Sequence, residues 1–394
     1  MSEMFSSQTE VFEKEKRYIM QTYRRPQLVI KEGKGAILKD FFGNEYIDCV
    51  GGIAVNAVGY SHPVVVKAIQ EQAAKLMHVS NLYYTEPQVK LAEKLSELSG
   101  MAKAFFCNSG AESIEAAMKL ACKITGKPGF IAAKGSFHGR TIASLSATYE
   151  PKFRSPFEPL LLKSVKFVRY NDADAIRAAI DDETAAVILE PIQGENGVIV
   201  PSAGYLNEVR EICTEKGVLL ILDEVQTGFG RTGKWFGKDH DGVEPDIMTL
   251  AKALGAGFPI GAMLARDGIE FEASEHASTF GGNPLACATA LASINVMEDE
   301  KLVERSRELG NYVMEQVRGE NGLESRLVVK EIRGKGLMIG IELVKPCNEL
   351  VEKAIERGIL VNCTVGNVIR LVPPLVISKE QLDTVVSGLH ELIE

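Results

Sequence analysis

The sequence lacks long apolar runs, an excess of basic residues and internal repeats, and each absence counts against a class of protein. It contains no run of about eighteen apolar residues, which a membrane-spanning helix needs, so we expect no membrane span. Its 44 basic residues are outnumbered by 53 acidic ones, and the net charge of −9 disfavours a protein that binds nucleic acid or an anionic membrane surface. Repeats of fixed period are also absent. The sequence therefore predicts an ordinary globular protein large enough for two domains.

Cysteine is sparse and irregularly placed. The seven cysteines are scattered along the chain, their number is odd, and no two have the spacing of metal ligands or of a Cys-x-x-Cys motif. This pattern predicts reduced intracellular thiols rather than a disulfide framework. The N-terminal stretch has no basic segment followed by an apolar one, so the sequence predicts no signal peptide and a cytoplasmic protein.

Helical and strand patterns alternate from about residue 63 onward. Residues 185–191 and 217–225 are short continuous apolar runs, which are typical of parallel strands covered by helices on both faces. The alternation continues through about residue 290. It predicts a large α/β domain with a mostly parallel sheet.

The pattern changes near residue 301 to helix, strands, helix, strand and helix, as in a smaller α+β domain. Residues 28–50 alternate loosely around a Gly-Asn turn and predict short antiparallel strands, which we expect to join the smaller domain. The sequence thus predicts three parts, which are an N-terminal segment (1–50), a large domain (51–300) and a C-terminal small domain (301–394).

Two segments place charged residues beside apolar runs. Asp223 and Glu224 follow the run that begins at residue 217, and ligands of open α/β sheets gather outside the carboxyl ends of the strands. Lys252 follows the apolar segment 247–251 and precedes three glycines. Such neighbours should desolvate its ammonium group and lower its pKa, which suits a lysine that attacks a carbonyl carbon. Taken singly, a structural acid and a snorkelling lysine remain open.

Two other segments offer sites for anions. Residues 108–110 lie between a predicted strand and a predicted helix that opens at Ala111, and a helix N-terminus offers free N–H groups to a phosphate. The loop GSFHGRT holds Phe137, His138 and Arg140, and an aromatic ring, an imidazole and a guanidinium together suit ring stacking and carboxylate binding. An ordinary helix cap and a solvated loop remain the alternatives.

These pieces together resemble the signature of the class III (ornithine-type) aminotransferases. The resemblance rests on residues 219–262 and on five further motifs in the family's order: NSGAESIEAAMKLA, GSFHGRT, ILEPIQGENG, HASTFGGNPLACA and VIRLVPPL. It covers nearly the whole chain. It implies fold type I of the pyridoxal-phosphate enzymes with a mostly parallel, seven-stranded sheet, pyridoxal 5'-phosphate as cofactor, and a homodimer with shared active sites.

Matching positions imply a role for each residue of the cofactor site. Lys252 holds the cofactor aldehyde, and Asp223 pairs with the protonated pyridine nitrogen. The other implied contacts are Val225 and Phe137 on the two ring faces, Gln226 at the phenolic oxygen, the N–H groups of Gly110 and Ala111 at the phosphate, and Thr279 at the phosphate of the neighbouring subunit.

The substrate residues follow from the same resemblance. The segments VGGIAVNAVGYSHP, SNLYYTEPQVKLAEKL and LVNCTVGNVIRLVPPL resemble the subfamily of arginine biosynthesis that acts on N-acetylornithine. This implies transfer of the distal amino group to 2-oxoglutarate, which yields N-acetylglutamate semialdehyde and glutamate. Arg140 then binds the α-carboxylate of the acylated substrate, and Ser278 contacts the substrate. The loop Gly51–Ile53 lacks the tyrosine that grips the free α-amine in ornithine enzymes, which counts against free ornithine.

A second arginine is paired with an acid in ornithine-type members. The glutamate of QGE and the arginine of IRxxPP are here Glu195 and Arg370. The pairing implies a switch, in which Glu195 neutralises Arg370 while the diamino substrate is bound and swings away when glutamate or 2-oxoglutarate is bound. A static ion pair is the alternative.

Other activities remain open at this point. Within the class, the substrate could instead be succinyldiaminopimelate, succinylornithine, ornithine, carrier-bound lysine or 4-aminobutyrate. A pyridoxal-phosphate aminomutase or racemase keeps the fold without transamination, and a non-catalytic binding protein keeps the fold without chemistry. A requirement for 2-oxoglutarate separates a transaminase from an aminomutase or racemase.

Overall fold

The structure is a computed structural model that describes residues 7–319 and 322–393. The stretch judged for a signal peptide includes residues 1–6, which lie outside the described residues. The α-helices are α1 (Gln8–Tyr18), α2 (Gly51–Ala54), α3 (Pro63–Lys75), α4 (Glu86–Ser99), α5 (Gly110–Thr125), α6 (Ile142–Ala147), α7 (Pro151–Arg154), α8 (Ala173–Ala179), α9 (Tyr205–Lys216), α10 (Pro284–Asp299), α11 (Leu302–Arg318), α12 (Asn348–Glu356) and α13 (Lys379–Leu392). None of the helices in the described ranges is long and apolar enough to cross a membrane.

Fifteen strands form three sheets among the described residues. They are β1 (Ile30–Lys34), β2 (Ile37–Asp40), β3 (Glu45–Asp48), β4 (Lys103–Cys107), β5 (Gly129–Ala133), β6 (Val165–Val168), β7 (Thr184–Leu189), β8 (Leu219–Asp223), β9 (Ile247–Leu250), β10 (Gly261–Ala265), β11 (Val329–Lys335), β12 (Met338–Leu343), β13 (Ile359–Leu360), β14 (Asn362–Thr364) and β15 (Val368–Leu371). Short 3-10 helices cover Ser155–Leu160, Gly237–His240, Lys252–Gly255 and Leu323–Ser325.

The largest sheet has seven strands in the order β4-β10-β9-β8-β7-β5-β6. Its pairings are parallel from β9 through β6, and only β10 runs antiparallel to its two neighbours. The apolar runs 185–191 and 217–225 contain β7 and β8. The predicted α/β fold with a mostly parallel, seven-stranded sheet is confirmed.

The central strands are apolar throughout because helices cover both faces of this sheet. Successive residues of β7 point to opposite faces. Ile188 packs in the cluster that contains Leu120 of α5, whereas Leu189 packs with Val209 of α9. Burying each such aliphatic side chain contributes roughly 1.5–3 kcal/mol to the stability of the fold. The sheet is therefore a rigid platform for the residues that directly follow its strands.

Two four-stranded sheets lie outside this platform, in the orders β1-β2-β3-β13 and β11-β12-β15-β14. The predicted antiparallel strands within residues 28–50 are β1 to β3. Their last strand pairs in parallel with β13, with Ile47 opposite Ile359. An N-terminal segment and a C-terminal strand therefore share one sheet. The division of the chain at residues 50 and 300 stays a prediction.

Arg231 joins the segment after β8 to the C-terminal part of the chain. Its buried side chain donates through Nη1 to the backbone oxygens of Leu337 (2.8 Å) and Pro373 (2.7 Å). Burial lowers the pKa of its guanidinium to about 9. The approach is close because Gly336 has a positive φ of 55°, and a Cβ there would lie 2.6 Å from the nitrogen of Gly233.

The prediction of reduced thiols without a disulfide is wrong for two of the seven cysteines. Cys347 and Cys363 form a disulfide, with Cα atoms 5.9 Å apart. Cys347 directly precedes α12 and Cys363 lies on β14, so the fold brings together residues whose spacing matches no motif. The other five cysteines are free thiols. Sequence spacing could not reveal this pair because only the packing of α12 against β14 creates it.

Candidate active site

The candidate active site is a cavity of about 410 Å³ at the carboxyl ends of the central strands. Such a position is where open α/β sheets bind their ligands. Eight residues predicted for the site line it together: Gly110, Ala111, Phe137, Arg140, Asp223, Val225, Gln226 and Lys252. They come from four separate segments of the chain, so the fold brings together motifs that are far apart in the sequence.

Lys252 opens the 3-10 helix that follows β9. Its backbone has a positive φ of 44°, which is strained for a residue with a side chain and is typical of functional positions. Burial lowers the pKa of its ammonium below the ordinary 10.5, while the negative charge of Glu195 counteracts that shift in part. The predicted desolvated lysine is therefore present, with a larger fraction of the reactive neutral amine than an exposed lysine has.

Asp223 is the last residue of β8 and is 4% exposed. Its Oδ1 accepts hydrogen bonds from the Val225 backbone N–H (3.0 Å) and from the Thr249 hydroxyl (3.3 Å). Its Oδ2 lies 2.7 Å from Nδ1 of His138. The carboxylate is thus fixed in orientation and faces the cavity, as an acid that meets a cationic ring nitrogen must be. Nε2 of His138 is buried without a partner among the described residues.

The start of α5 provides the expected anion-binding geometry. Ser109 caps the helix by accepting from the Glu112 backbone N–H (3.2 Å), and the first N–H groups of a helix have no partner inside it. Gly110 is required there because a Cβ would lie 2.9 Å from a methyl group of Val225. Gly110 and Ala111 both line the cavity, which leaves their backbone open to a phosphate.

Glu190 is a cavity residue that the sequence reasoning missed. It follows β7 directly and is 5% exposed. One carboxylate oxygen accepts from the Phe137 backbone N–H and the other from that of Gly194, both at 3.0 Å. Burial raises its pKa to about 7. Its position after an apolar strand is the same signal that identified Asp223, so the same rule would have found it.

Arg370 and Glu195 form an ion pair beside the cavity. Nη1 of Arg370 lies 2.6 Å from Oε1 of Glu195, and the arginine side chain is 0% exposed. Burial alone would raise the pKa of Glu195, but Arg370 and Lys252 lower it below its ordinary value. Gln226 contacts both partners, at 3.3 Å from the arginine and 3.5 Å from the glutamate. Nη2 of Arg370 is buried with no partner among the described residues, so one donor is unused.

Arg140 has different surroundings from Arg370. It is exposed at the mouth of the cavity, and it forms no hydrogen bond or ion pair within the described part of the chain. Its Cζ lies 3.7 Å from the centroid of the Phe153 ring. The guanidinium thus retains its full charge and all its donors.

Ser278 and Thr279, like Glu195 and Arg370, are predicted residues that lie outside the cavity lining. The Ser278 hydroxyl is 3.3 Å from Nδ2 of Asn108, which does line the cavity, and accepts from the Gly281 backbone N–H at 3.0 Å. Thr279 is exposed. The structure therefore places Ser278 next to a residue of the cavity lining and leaves Thr279 exposed.

The chain matches the family model of the class III aminotransferases over residues 18–393. It is similar to the acetylornithine aminotransferase of Methanosarcina acetivorans, with 61% identity over 97% of this chain and 95% of the relative. The acetylornithine aminotransferase of Aquifex aeolicus is 46% identical over 95% of this chain and 100% of the relative. The chain belongs to the class III aminotransferases, as the motifs predicted.

Solved structures agree with this assignment. The ornithine aminotransferase of Toxoplasma gondii superposes with a TM-score of 0.94 at 36% identity, covering 99% of this chain and 95% of that chain. The acetylornithine aminotransferase of Elizabethkingia anophelis superposes with a TM-score of 0.87 at 34% identity, covering 99% of each chain. The predicted fold is therefore that of solved aminotransferases along almost its whole length.

Proposed function

We propose that this chain is an acetylornithine aminotransferase that uses pyridoxal 5'-phosphate. It transfers the distal amino group of N-acetylornithine to 2-oxoglutarate, which yields N-acetylglutamate semialdehyde and glutamate. The observation that carries the proposal is a cavity lined by a desolvated lysine and by Arg140, which has no acid partner among the described residues, with Arg370 beside it neutralised by a glutamate. Relatives that are 46–61% identical and carry this name support it.

The residues present fit the cofactor. A phosphate fits the start of α5, where the missing side chain of Gly110 leaves room. Phe137 and Val225 line the cavity where they can cover the two faces of a flat ring, and Asp223 lies at its inner end with a fixed carboxylate. When bound, pyridoxal phosphate supplies an aldehyde for the amino group and a ring that withdraws electrons.

The chemical work of this chain centres on a proton. Nζ of Lys252 removes the proton from the amine-bearing carbon of the substrate, and its lowered pKa increases the fraction of the basic, uncharged form. The buried Asp223 would hold a positive charge on the ring nitrogen of the bound cofactor, which would stabilise the negative charge that develops at that carbon.

The two arginines explain how one cavity serves two unlike substrates. N-acetylornithine reacts at its distal amine, so its α-carboxylate lies far from Lys252, where Arg140 binds it. Glutamate reacts at its α-amine, so its α-carboxylate lies near Lys252, where Arg370 binds it after Glu195 moves away. Arg140 holds the distal carboxylate in both halves of the reaction. The unused Nη2 of Arg370 supports this role, because a carboxylate would satisfy it.

The loop Gly51–Ile53 favours an acylated substrate over free ornithine. All three residues have positive φ angles, and a Cβ on Gly51 would lie 2.7 Å from the backbone oxygen of Val372, two residues after Arg370. Close backbone contact thus replaces any long side chain at this edge. The loop offers no aromatic hydroxyl for a free α-amine.

A substrate panel tests the assignment. Purified holoenzyme is assayed with N-acetylornithine, succinyldiaminopimelate, ornithine and 4-aminobutyrate, each with 2-oxoglutarate. We expect the highest kcat/KM for N-acetylornithine and no turnover without a keto acid. A higher kcat/KM for another amine would replace the proposed substrate. Turnover without any keto acid would point to an aminomutase or racemase.

The proposal includes a homodimer in which Thr279 reaches the phosphate of the neighbouring subunit. Large apolar side chains are exposed close to Thr279, with Leu82 83%, Tyr84 101% and Phe280 58% exposed. Asn81 donates to the backbone oxygens at both ends of residues 278–281, which ties the two exposed segments together. Exposed apolar patches of this kind mark interaction surfaces.

Sedimentation of the holoenzyme tests the dimer. We expect a dimer at assay concentration, and we expect Phe280→Asp to weaken association and activity together. An active monomer would contradict a shared site. A cytoplasmic location also belongs to the proposal, since both 2-oxoglutarate and glutamate are intracellular metabolites, and cell fractionation with an antibody tests it.

A further inference from the structure

The side chain that holds Arg140 is aromatic rather than acidic. The Phe153 ring, on α7, has the Arg140 guanidinium carbon 3.7 Å from its centroid. Several other arginines are held by carboxylates, such as Arg333 at 2.6 Å from Glu342 and Arg210 at 2.7 Å from Asp246. The contact that holds the cavity arginine is a ring, as it is for Arg154, which lies 4.7 Å from the ring centroid of Phe167.

An aromatic ring suits an arginine that must bind an anion. The negative face of the ring attracts the cation, and the guanidinium stacks on it. The ring accepts none of the in-plane N–H donors, so they stay available for a bidentate carboxylate contact. A protein carboxylate would instead occupy those donors and compete with the carboxylate of the substrate.

Phe153 is itself fixed by the cofactor side of the site. Its ring packs edge-to-face on Phe137, with centroids 6.1 Å apart and planes at 84°. A second cation, Nζ of Lys152, lies 5.0 Å from the same ring centroid and adds positive charge instead of neutralising Arg140. One half-buried ring therefore connects the residue that faces the cavity with the cation at its mouth.

We propose that Phe153 is a specificity-determining positioning residue, which holds Arg140 in place for the distal carboxylate of both substrates. The inference rests on the proposed role of Arg140. Without the ring, the long arginine side chain samples several rotamers, and each bound carboxylate must first immobilise it. Both substrates should therefore bind more weakly, while the proton transfer at Lys252 should keep its rate.

The test uses the holoenzyme and glutarate, a five-carbon dicarboxylate with no reactive keto group. Glutarate binding is measured by calorimetry, and KM and kcat are measured for N-acetylornithine and 2-oxoglutarate. We expect Phe153→Leu to raise the glutarate Kd and both KM values roughly two- to fivefold, with kcat and the cofactor absorbance unchanged. Phe153→Tyr keeps the aromatic face and should restore wild-type binding.

The controls separate a local effect from a general one. Phe157→Leu removes a ring that is 49% exposed in the adjacent 3-10 helix and should leave all values unchanged. Phe153→Leu should add nothing in an Arg140→Ala background, because the ring acts through the arginine. Phe153→Met replaces Phe153→Leu if thermal melting shows that the leucine variant does not fold.

Two outcomes would overturn the inference in distinguishable ways. If Arg140→Ala weakens glutarate binding but Phe153→Leu does not, Phe153 has no positioning role and the proposed function stands. If Arg140→Ala also leaves glutarate binding unchanged, the proposed role of Arg140 is wrong and the inference fails with it.

Discussion

The two arginines of the cavity are held in opposite ways. Arg370 is 0% exposed and lies 2.6 Å from the carboxylate of Glu195. Arg140 is exposed and lies on an aromatic ring, and no acid among the described residues forms an ion pair with it. A buried cation without a counter-charge is costly, whereas an exposed one is stabilised by water. Burial therefore explains why Arg370, of these two arginines, has a companion acid.

This difference has a functional meaning. Arg370 is paired with Glu195, so it can bind the carboxylate of a substrate only when Glu195 moves away. We therefore expect Arg370 to bind substrate in one half-reaction only. A site without an acid is always available, so Arg140 serves both. The cavity thus combines a gated and a permanent carboxylate site, and each of the following experiments tests that contrast.

The largest effect is expected from Lys252→Ala. The variant should lose roughly 10²–10⁴-fold in turnover because it lacks the proton acceptor, but both arginines should still bind glutarate with wild-type affinity. Borohydride treatment of the wild-type holoenzyme should attach the cofactor to the peptide that contains Lys252. Attachment to another lysine, or loss of glutarate binding in Lys252→Ala, would contradict this separation of binding from chemistry.

Asp223→Asn should slow both half-reactions by roughly 10²–10³-fold, which is the scale for loss of a preorganised electrostatic partner. Because Asp223 contacts neither arginine, the KM values should change little. The neighbouring Glu224 provides a matched control. It faces away from the cavity and accepts from the backbone N–H groups of Gly237 (2.8 Å) and Lys238 (2.7 Å). Glu224→Gln should lower the melting temperature more than the rate; equal rate losses would refute the distinction.

Single-turnover rates of the two half-reactions test whether the ion pair of Glu195 and Arg370 acts as a gate. Glu195→Gln leaves Arg370 without its counter-charge, so the N-acetylornithine half-reaction should slow roughly tenfold or more while the glutamate half-reaction is largely spared. Arg370→Lys should do the reverse, because lysine cannot form a bidentate pair with the α-carboxylate.

Arg140→Lys is the comparison variant for the gate. It should weaken both half-reactions to a similar degree, since Arg140 is proposed to act in both. Equal damage to both halves by Glu195→Gln and by Arg370→Lys would make their ion pair static and remove the contrast between the two arginines.

The smallest expected effect is on the pH dependence of cofactor attachment to Lys252. The neutral amine of Lys252 attacks the cofactor, so the rate of cofactor attachment to the apo-protein should rise with pH and level off below 10.5, because burial lowers the pKa. Glu195→Gln removes a charge that raises this pKa, so its midpoint should lie at lower pH. Arg140→Ala should not move the midpoint. The absorbance of the attached cofactor reports each curve, and a shift in the Arg140 variant alone would contradict the assignment.

Sequence patterns predicted the platform of this site well. The predicted run 217–225 contains strand β8, and the segment before Lys252 contains strand β9, because continuous apolar runs identify strands buried on both faces. The predicted helix start at Ala111 lies within one residue of the observed one at Gly110. Strand positions and helix starts depend on residues that are close in sequence, so hydrophobic patterns and capping residues can predict them.

Contacts between distant loops escaped prediction. Glu190 accepts from the backbone N–H of Phe137, 53 residues away, and a backbone donor has no sequence signature. The ring of Phe153 reaches Arg140 only because of the path taken by the intervening loop and helix. The bond between Cys347 and Cys363 likewise depends on how α12 packs against β14. Tertiary geometry, rather than residue type, decides all three.

The parallel pairing of β3 with β13 affects the order in which the sheets can form during translation. Ile47 and Cys49 donate their backbone N–H groups to Gly358 and Leu360, so a strand made early in translation waits for a partner made near its end. At ribosomal speeds of about 5–20 residues per second, the roughly 310 residues between them take about 15–60 s to emerge. All strands of the central sheet, from β4 to β10, are synthesised within that interval. The platform of the active site can therefore assemble on the ribosome before the strands that begin the chain find their last neighbour.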